Sequence, residues 1–404
     1  MAPPYRADHI GSLMRPKELL EARAHLADLS HMYDKVTESS IKEVEQRCIN
    51  EAVQKQFDLG IRPITSGEYS RQIFYGGFFE TLDGMTVHPD LPVPDAFRTD
   101  FPTTQKLLEM GIKTRAQTIC TGPIRWRESA YMDEWKMLRR SLPEEQWKEC
   151  KMTMPAPNLE HINLKAGTAF TEDSGYESDE AYFADLSKAY VQEIKALYTE
   201  GLRHIQIDDP NMTYFCSQQF LEGCRKDGTD TDALLDLYMD AQNALLREVE
   251  DLEGLRMGIH LCRGNFGSQH FVTGSYEKIA QKLFNNTLYD TYYLEFDDME
   301  RQGSFEPLKH LPRGKNVVLG LVSTKRAALE EKSELARLVN DAAEIIGKAQ
   351  AVSKEDAMKC LGLSPQCGFS SASLSHGEGM TMDKMWEKLC LVRDSAREMW
   401  QDAE

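Results

Sequence analysis

The run Gly258-Ile259-His260-Leu261-Cys262-Arg263-Gly264-Asn265 sets an imidazole and a thiol two residues apart. On a strand, residues i and i+2 face the same way, so His260 and Cys262 are predicted to point to one side. Farther along, Thr291-Tyr292-Tyr293-Leu294-Glu295-Phe296-Asp297-Asp298 alternates. Tyr292, Leu294 and Phe296 suit a helix-covered face, which turns Glu295 and Asp297 inward. A third piece, Leu363-Ser364-Pro365-Gln366-Cys367-Gly368-Phe369, places Cys367 at the end of another strand-like run. His260, Cys262, Glu295 and Cys367 make the nitrogen, sulfur and oxygen donor set that zinc accepts in tetrahedral geometry. Each piece also has an ordinary reading. His-x-Cys packs cores, a lone buried cysteine is an inert small hydrophobe, and an acid at a strand end caps a helix or faces water. Their shared position at the carboxyl ends of late strands favours chemistry, because barrel enzymes assemble their sites there.

Bringing those residues together requires strands alternating with helices. β-rich runs occur at 62–68, 118–124, 152–154, 204–208, 257–262, 291–297 and 316–322, with further ones at 5–12 and 364–369. Between them lie amphipathic stretches. Ile41, Val44, Cys48, Ala52 and Val53 fall at helical spacing after a Ser40-x-x-Glu43 capping box, with Gly60 as the stop. Leu186, Tyr190, Ile194 and Leu197 form a second stripe that ends at Gly201, and others follow at 232–249, 276–283 and 326–351. Repeated strand–helix–strand units imply parallel strands with right-handed crossovers. No Gly-x-Gly-x-x-Gly turn or Walker-type glycine run follows an early strand, which favours a closed (β/α)8 TIM-type barrel over an open doubly wound sheet. Nine runs compete for eight places, so the one at Thr118–Ile124, followed by a Trp126-containing insertion, is assigned outside the barrel. No Pro/Gly/Ser-rich linker divides the chain, and residues 1–404 read as a single catalytic domain with insertions in its βα loops.

Composition excludes several other classes. Hydrophobic residues are 41% and charged residues 28% of the 404, enough apolar material for a large core and too much for a disordered chain. The net charge of −18 repels phosphate backbones and anionic lipid, so neither nucleic acid nor a membrane surface is an expected partner. No apolar run reaches the roughly 20 residues that span a bilayer, and the first residues lack a signal peptide's apolar stretch. Nine scattered cysteines read as free thiols or metal ligands in a reducing, cytoplasmic setting.

The stretches HLCRGN, LEFDD, LGLVSTK and LSPQCGFSS, preceded by RADHIGSLMRP, SGEYSR and QIDDP, resemble the cobalamin-independent methionine synthase family, in its zinc-carrying catalytic half. The resemblance runs from about Tyr5 to about Phe369. It implies a (β/α)8 barrel whose zinc binds the thiol of homocysteine and passes a methyl group from a methylated folate to its sulfur. Carried over by position, it implies that His260, Cys262, Glu295 and Cys367 hold the zinc. Two thiolates and a carboxylate give such a site a net charge of −1, which makes Glu295 a candidate to give way to an arriving substrate sulfur. The Ile10-Gly11-Ser12 turn, through Ser12, resembles the family's contact to the amino-acid carboxylate. Glu68 and Asp208 resemble the acids that grip the ammonium group. The alternation of the strand agrees for Asp208, since Ile205 and Ile207 suit the outer face and leave His204, Gln206 and Asp208 turned inward.

The sequence also departs from that family. An additional amino-terminal barrel is absent from this chain, so donor binding is expected to differ. The family's stacking tryptophan has no counterpart in Met154–His161, and Trp126 follows Thr121-Gly122-Pro123 at shorter spacing. The segment that carries a general-acid histidine in the synthases reads Gly320-Leu321-Val322-Ser323-Thr324-Lys325, which leaves His9 as the candidate replacement. Lys325 and Arg326 are candidates for holding an anion, and Tyr69, Arg71, Phe74, Tyr75, Phe78 and Phe79 form a candidate lid or pocket wall. The functional expectation is zinc-dependent methyl or alkyl transfer to homocysteine or a related small thiol, from a donor that includes methylated folate. Two alternatives stay open: another carbon–sulfur reaction on the same zinc barrel, and a catalytically silent thiol- or zinc-binding protein.

Overall fold

The computed structural model describes residues 2–26, 29–98, 100–264, 270–370 and 379–403; Asn265 and Ser371 of the quoted motifs lie outside them. Six parallel strands form one sheet in the order β3 (Met152–Pro155), β4 (His204–Asp208), β5 (Arg256–Leu261), β6 (Thr291–Glu295), β7 (Asn316–Val322) and β8 (Leu361–Pro365). Every residue of β7 is buried, as expected of a strand covered on both faces. Two extended segments join the sheet's ends. Ala7 bridges Leu363 of β8, Ser12 bridges Gly67, and Ile64 bridges Cys150 just ahead of β3. The links are backbone hydrogen bonds from Asp8 to Leu363 (2.9 Å), from Leu13 to Gly67 (3.1 Å) and from Lys151 to Ile64 (2.9 Å). The runs at 5–12 and 62–68 thus occupy the first two places of the ring without building regular ladders. Pro63 has no N–H to donate, and Gly11 (φ +128°) and Gly67 (φ +69°) turn the chain out of the extended region.

The run at 118–124 lies outside the ring, in an antiparallel hairpin of β1 (Asp83–Pro92) and β2 (Thr114–Arg125). The last strand begins and ends earlier than its sequence pattern indicates, at Leu361–Pro365, which leaves Cys367 on the turn beyond it. Helix Ser39–Asp58 has Glu38 as its N-cap and no capping side-chain bond, so Ser40 lies inside the first turn and the predicted capping box does not form. Gly60, at φ +66°, follows its end as expected. Helices Asp179–Thr199, Thr231–Arg247, Glu277–Asn286 and Lys332–Gln350 fill the other predicted stretches. No helix among the described residues is long and apolar enough to cross a membrane.

Most buried side chains belong to one cluster between strands and helices, and it includes Ile205, Ile207, Tyr292, Leu294 and Phe296. Inside the ring, Ile10, Tyr293 and Val318 form a separate small cluster. Beside it lies a buried polar chain. Lys151 Nζ donates to Asp8 Oδ1 (2.7 Å), to Gln206 Oε1 (2.8 Å) and to the His9 carbonyl, while Tyr293 donates to Asp8 Oδ2 (2.9 Å). The Lys151 and Asp8 side chains are fully buried, so the pair persists only because each charge is paired and hydrogen-bonded. Lys151→Met is expected to leave Asp8 uncompensated and cost about 3–5 kcal/mol of unfolding free energy, read by denaturant titration.

Candidate metal centre

β5, β6 and the turn after β8 bring four side chains together. One ligand atom from each of His260, Cys262, Glu295 and Cys367 lies within 4.8 Å of every other, and all four residues are buried. The Cys262 and Cys367 sulfurs are 3.4 Å apart. Two sulfurs at about 2.3 Å from one zinc, at a tetrahedral angle, stand about 3.8 Å apart, so small adjustments fit the set to the ion. Neither ring nitrogen of His260 has a hydrogen-bond partner among the described residues, and neither does Oε1 of Glu295. Buried polar atoms left without partners are costly, and a cation at the shared centre would satisfy one ring nitrogen of His260 together with Oε1 of Glu295. The donor set fits zinc.

The supports are specific. The other Glu295 oxygen lies 3.5 Å from Gln302 Nε2 and 3.8 Å from Arg301 Nη1, which hold the carboxylate from behind. Asp297, also predicted to face inward, pairs with Arg301 (3.2 Å) and Gln302 (3.0 Å) and is not one of the four donors. The Gly264 N–H donates to Cys262 Sγ at 3.2 Å. Gly264 sits at φ +95°, and a Cβ there would be 2.3 Å from the Phe271 ring, so only glycine brings that N–H to the sulfur without displacing Phe271.

One cleft of about 1100 Å³, its open mouth included, adjoins the centre, and its lining includes His260, Cys262, Cys367, Ser12, Glu68 and Asp208. Asp208 is the register neighbour of His260 across β4 and β5. Its Oδ1 accepts from Gln206 Nε2 (2.7 Å), whose own oxygen is held by Lys151, so the polar chain inside the barrel aims this carboxylate. Burial pushes the Asp208 carboxyl up to about 7, against His260 and with the help of the Glu68 charge. Glu68 is held by Thr153 Oγ1 (2.7 Å), and its Oε2 has no partner among the described residues. Its backbone lies at φ +60°, a strained conformation for a non-glycine residue of the kind found at functional sites. Ser12 also lines the cleft and packs against Gly368, where a Cβ would be 1.9 Å from Ser12 Oγ.

His9 is not brought to the cleft. It is buried, its Nε2 donates to the Pro63 carbonyl (2.7 Å), and burial together with the Lys151 ammonium pulls its pKa down to about 3. The structure therefore gives no support to a proton-donating role for His9. Trp126 donates to Glu193 (2.9 Å) and does not line the cleft. Lys325 donates to the Gly264 carbonyl (2.8 Å), and the exposed Arg326 contacts the Asp297 carbonyl (3.4 Å). Of the aromatic loop, Phe74 and Tyr75 line the cleft, whereas Tyr69, Phe78 and Phe79 pack in the core and Arg71 pairs with Glu134 (2.7 Å). Sequence reasoning missed Thr153, Gln206 and Lys151 as supports. The inward alternation of β4 signalled Gln206, but nothing local pointed to the other two.

Fold and site together define a parallel α/β barrel protein in which four potential metal donors gather beside two buried carboxylates. Residues 167–381, which hold all four donors and Asp208, match the family described as cobalamin-independent synthase, catalytic domain, and the chain belongs to that family. Two proteins of Bacillus subtilis (strain 168) are similar over nearly the whole length. YxjH is 32% identical over 401 residues (98% of this chain, 95% of YxjH), and YxjG is 31% identical over 402 residues (99% and 96%). Among solved structures, a putative vitamin-B12 independent methionine synthase from Listeria monocytogenes matches with a TM-score of 0.69 at 24% identity, over 99% of each chain. A B12-independent methionine synthase from Shewanella sp. W3-18-1, in complex with selenomethionine, matches with a TM-score of 0.65 at 19% identity, over 98% of this chain and 97% of that one. These two likenesses show the fold.

Proposed function

We propose that this protein transfers a methyl group to the sulfur of homocysteine or a closely related small thiol, with zinc held by His260, Cys262, Glu295 and Cys367. The observation that carries the reading is the single cleft in which that donor set adjoins Glu68 and Asp208. A bare structural metal site needs neither acid, which argues against a silent zinc-binding protein. Zinc bound there would supply the Lewis acidity that keeps a coordinated thiol deprotonated at neutral pH.

The chain's own residues do the rest. Glu68 and Asp208 pair with the substrate ammonium and offset its desolvation. Ser12 faces the substrate carboxylate beside Gly368, where the missing Cβ leaves room. The buried walls keep water from competing with the thiolate. In the transfer a sulfur–carbon bond forms as the bond between methyl group and donor breaks, and the donor keeps that electron pair.

The deciding experiment incubates zinc-loaded protein with a methylated monoglutamyl folate and L-homocysteine. Methionine that accumulates only with both substrates and the metal is expected. Homocysteine that binds with proton release while no methionine forms would remove folate as donor. Failure of any small thiol to bind would overturn the reading itself.

A further inference from the structure

We propose that Arg301 and Gln302 form a second seat for the Glu295 carboxylate, which receives it when an outside thiolate takes its place among the four donors. As positioning residues they then set how readily the centre accepts a thiol. The proposal deepens the function above and rests on it for the arriving thiol, while the seat itself rests on residues outside the donor set.

Both residues belong to the short helix Met299–Gln302, whose position is fixed by three hydrogen bonds. The Arg301 N–H donates to the capping Asp298 carboxylate (3.1 Å), the Gly274 N–H donates to the Arg301 carbonyl (3.0 Å), and the Asp298 N–H donates to Gln302 Oε1 (3.1 Å). With its oxygen taken, the Gln302 amide turns its NH2 toward the acids at the end of β6. Nε2 donates to Asp297 Oδ1 at 3.0 Å but stands 3.5 Å from Glu295 Oε2. Arg301 is divided in the same way. Its Nη2 lies 3.2 Å from Asp297 Oδ1, whereas Nη1 lies 3.8 Å from Glu295 Oε2 and has no hydrogen-bond partner among the described residues. Asp297 thus anchors the pair, and both side chains stand beside Glu295 at more than ordinary hydrogen-bond length.

Charge-assisted N–H···O bonds close at about 2.7–2.9 Å, so a shift of the carboxylate by about 1 Å toward the helix would complete both contacts. The need for such a seat follows from charge. Two thiolates and the Glu295 carboxylate set three negative charges around the centre, and a further anion added to them would be repelled by all three. One anion therefore has to replace another. The thiol gives its proton to solvent, its sulfur takes the vacated place, and Glu295 leaves with its own electron pair and charge. Glu295 is fully buried, so it leaves into the protein rather than into water, where an unpaired carboxylate is costly. The half-made contacts to Arg301 and Gln302 supply its partners. The same use accounts for a buried arginine whose Nε and Nη1 go without hydrogen bonds in the resting state.

The test uses the zinc-loaded full chain, L-homocysteine and the variants Arg301→Met and Arg301→Lys. X-ray absorption at the zinc edge counts sulfur and lighter donors, competition with a chelator reads zinc affinity, and calorimetry reads thiol affinity. The wild type is expected to show both cysteine sulfurs with two light donors, and to exchange one light donor for a third sulfur when homocysteine is saturating. Arg301→Met is expected to bind homocysteine about 10- to 100-fold more weakly and to keep its second light donor with thiol present, while Arg301→Lys recovers part of the affinity. Without thiol, zinc affinity of Arg301→Met is expected to be no weaker than the wild type's, because loss of a nearby cation leaves Glu295 a better donor. A role in holding the fold would weaken it instead. A wild type that binds homocysteine with both light donors retained overturns the seat and leaves methyl transfer standing, even where Arg301→Met fails to fold. So does an Arg301→Met protein with wild-type affinity for homocysteine. Failure of the zinc-loaded wild type to bind homocysteine would overturn the function above and this inference with it.

Discussion

Replacing Cys367 by serine is expected to strip the zinc-loaded protein of its metal. A serine hydroxyl is not deprotonated at neutral pH as a thiolate is, so the set falls to one thiolate, one imidazole and one carboxylate. Structural zinc in zinc-finger peptides is bound with about 10–16 kcal/mol, and on that scale loss of one of the two thiolates here is expected to weaken binding by about 10³-fold. Cys262→Ser should do the same, because its sulfur lies 3.4 Å from that of Cys367 and serves the same centre. Metal analysis after dialysis against a mild chelator reads the result: one zinc per chain in the wild type, close to none in either variant. Methyl transfer should fall below detection in both. Thermal unfolding gives a second reading, since an ion that binds only the folded chain raises its stability by RT ln(1 + [L]/Kd). Zinc should therefore raise the melting temperature of the wild type and leave the variants unmoved. A wild-type protein that takes up no zinc, or a variant that keeps it, would refute the centre.

The same centre shows what was legible in the sequence. His260 and Glu295 could be read because β5 and β6 are buried strands, where alternation fixes which side chains share a face, and Cys262, the residue just past β5, keeps that alternation. Cys367 lies two residues past its strand, so the strand-like run located it near a carboxyl end while alternation could not say where its side chain points. The first two places in the ring were legible as runs, while their irregular pairing follows from Pro63, Gly11 and Gly67, whose effect on a ladder is not visible in hydrophobicity. His9 reads as a site residue because it sits beside Asp8 in a matched motif. Whether an inward histidine reaches the cleft or stays in the polar core depends on partners from other strands, here Lys151 and the Pro63 carbonyl.

Asp208→Asn separates recognition of the amino acid from chemistry at sulfur. Asparagine keeps the shape and can still bond to Gln206, but the side chain loses the charge that would face a substrate ammonium. Removing one partner of a buried, hydrogen-bonded charge pair costs about 2–5 kcal/mol, which at about 1.4 kcal/mol per tenfold predicts a fall in kcat/KM of about 30- to 4000-fold for homocysteine. 4-Mercaptobutanoate, which has the thiol and the carboxylate but no ammonium, should react poorly with the wild type. Its kcat/KM should change less than about threefold in the variant, because there is no pair to lose. Zinc content should be the same in both proteins, since Asp208 is not among the four donors. An equal loss with both thiols would show that Asp208 acts on the centre or on the fold rather than on the ammonium. An unchanged rate with homocysteine would leave Glu68, with its strained backbone and its unpartnered Oε2, as the sole candidate grip.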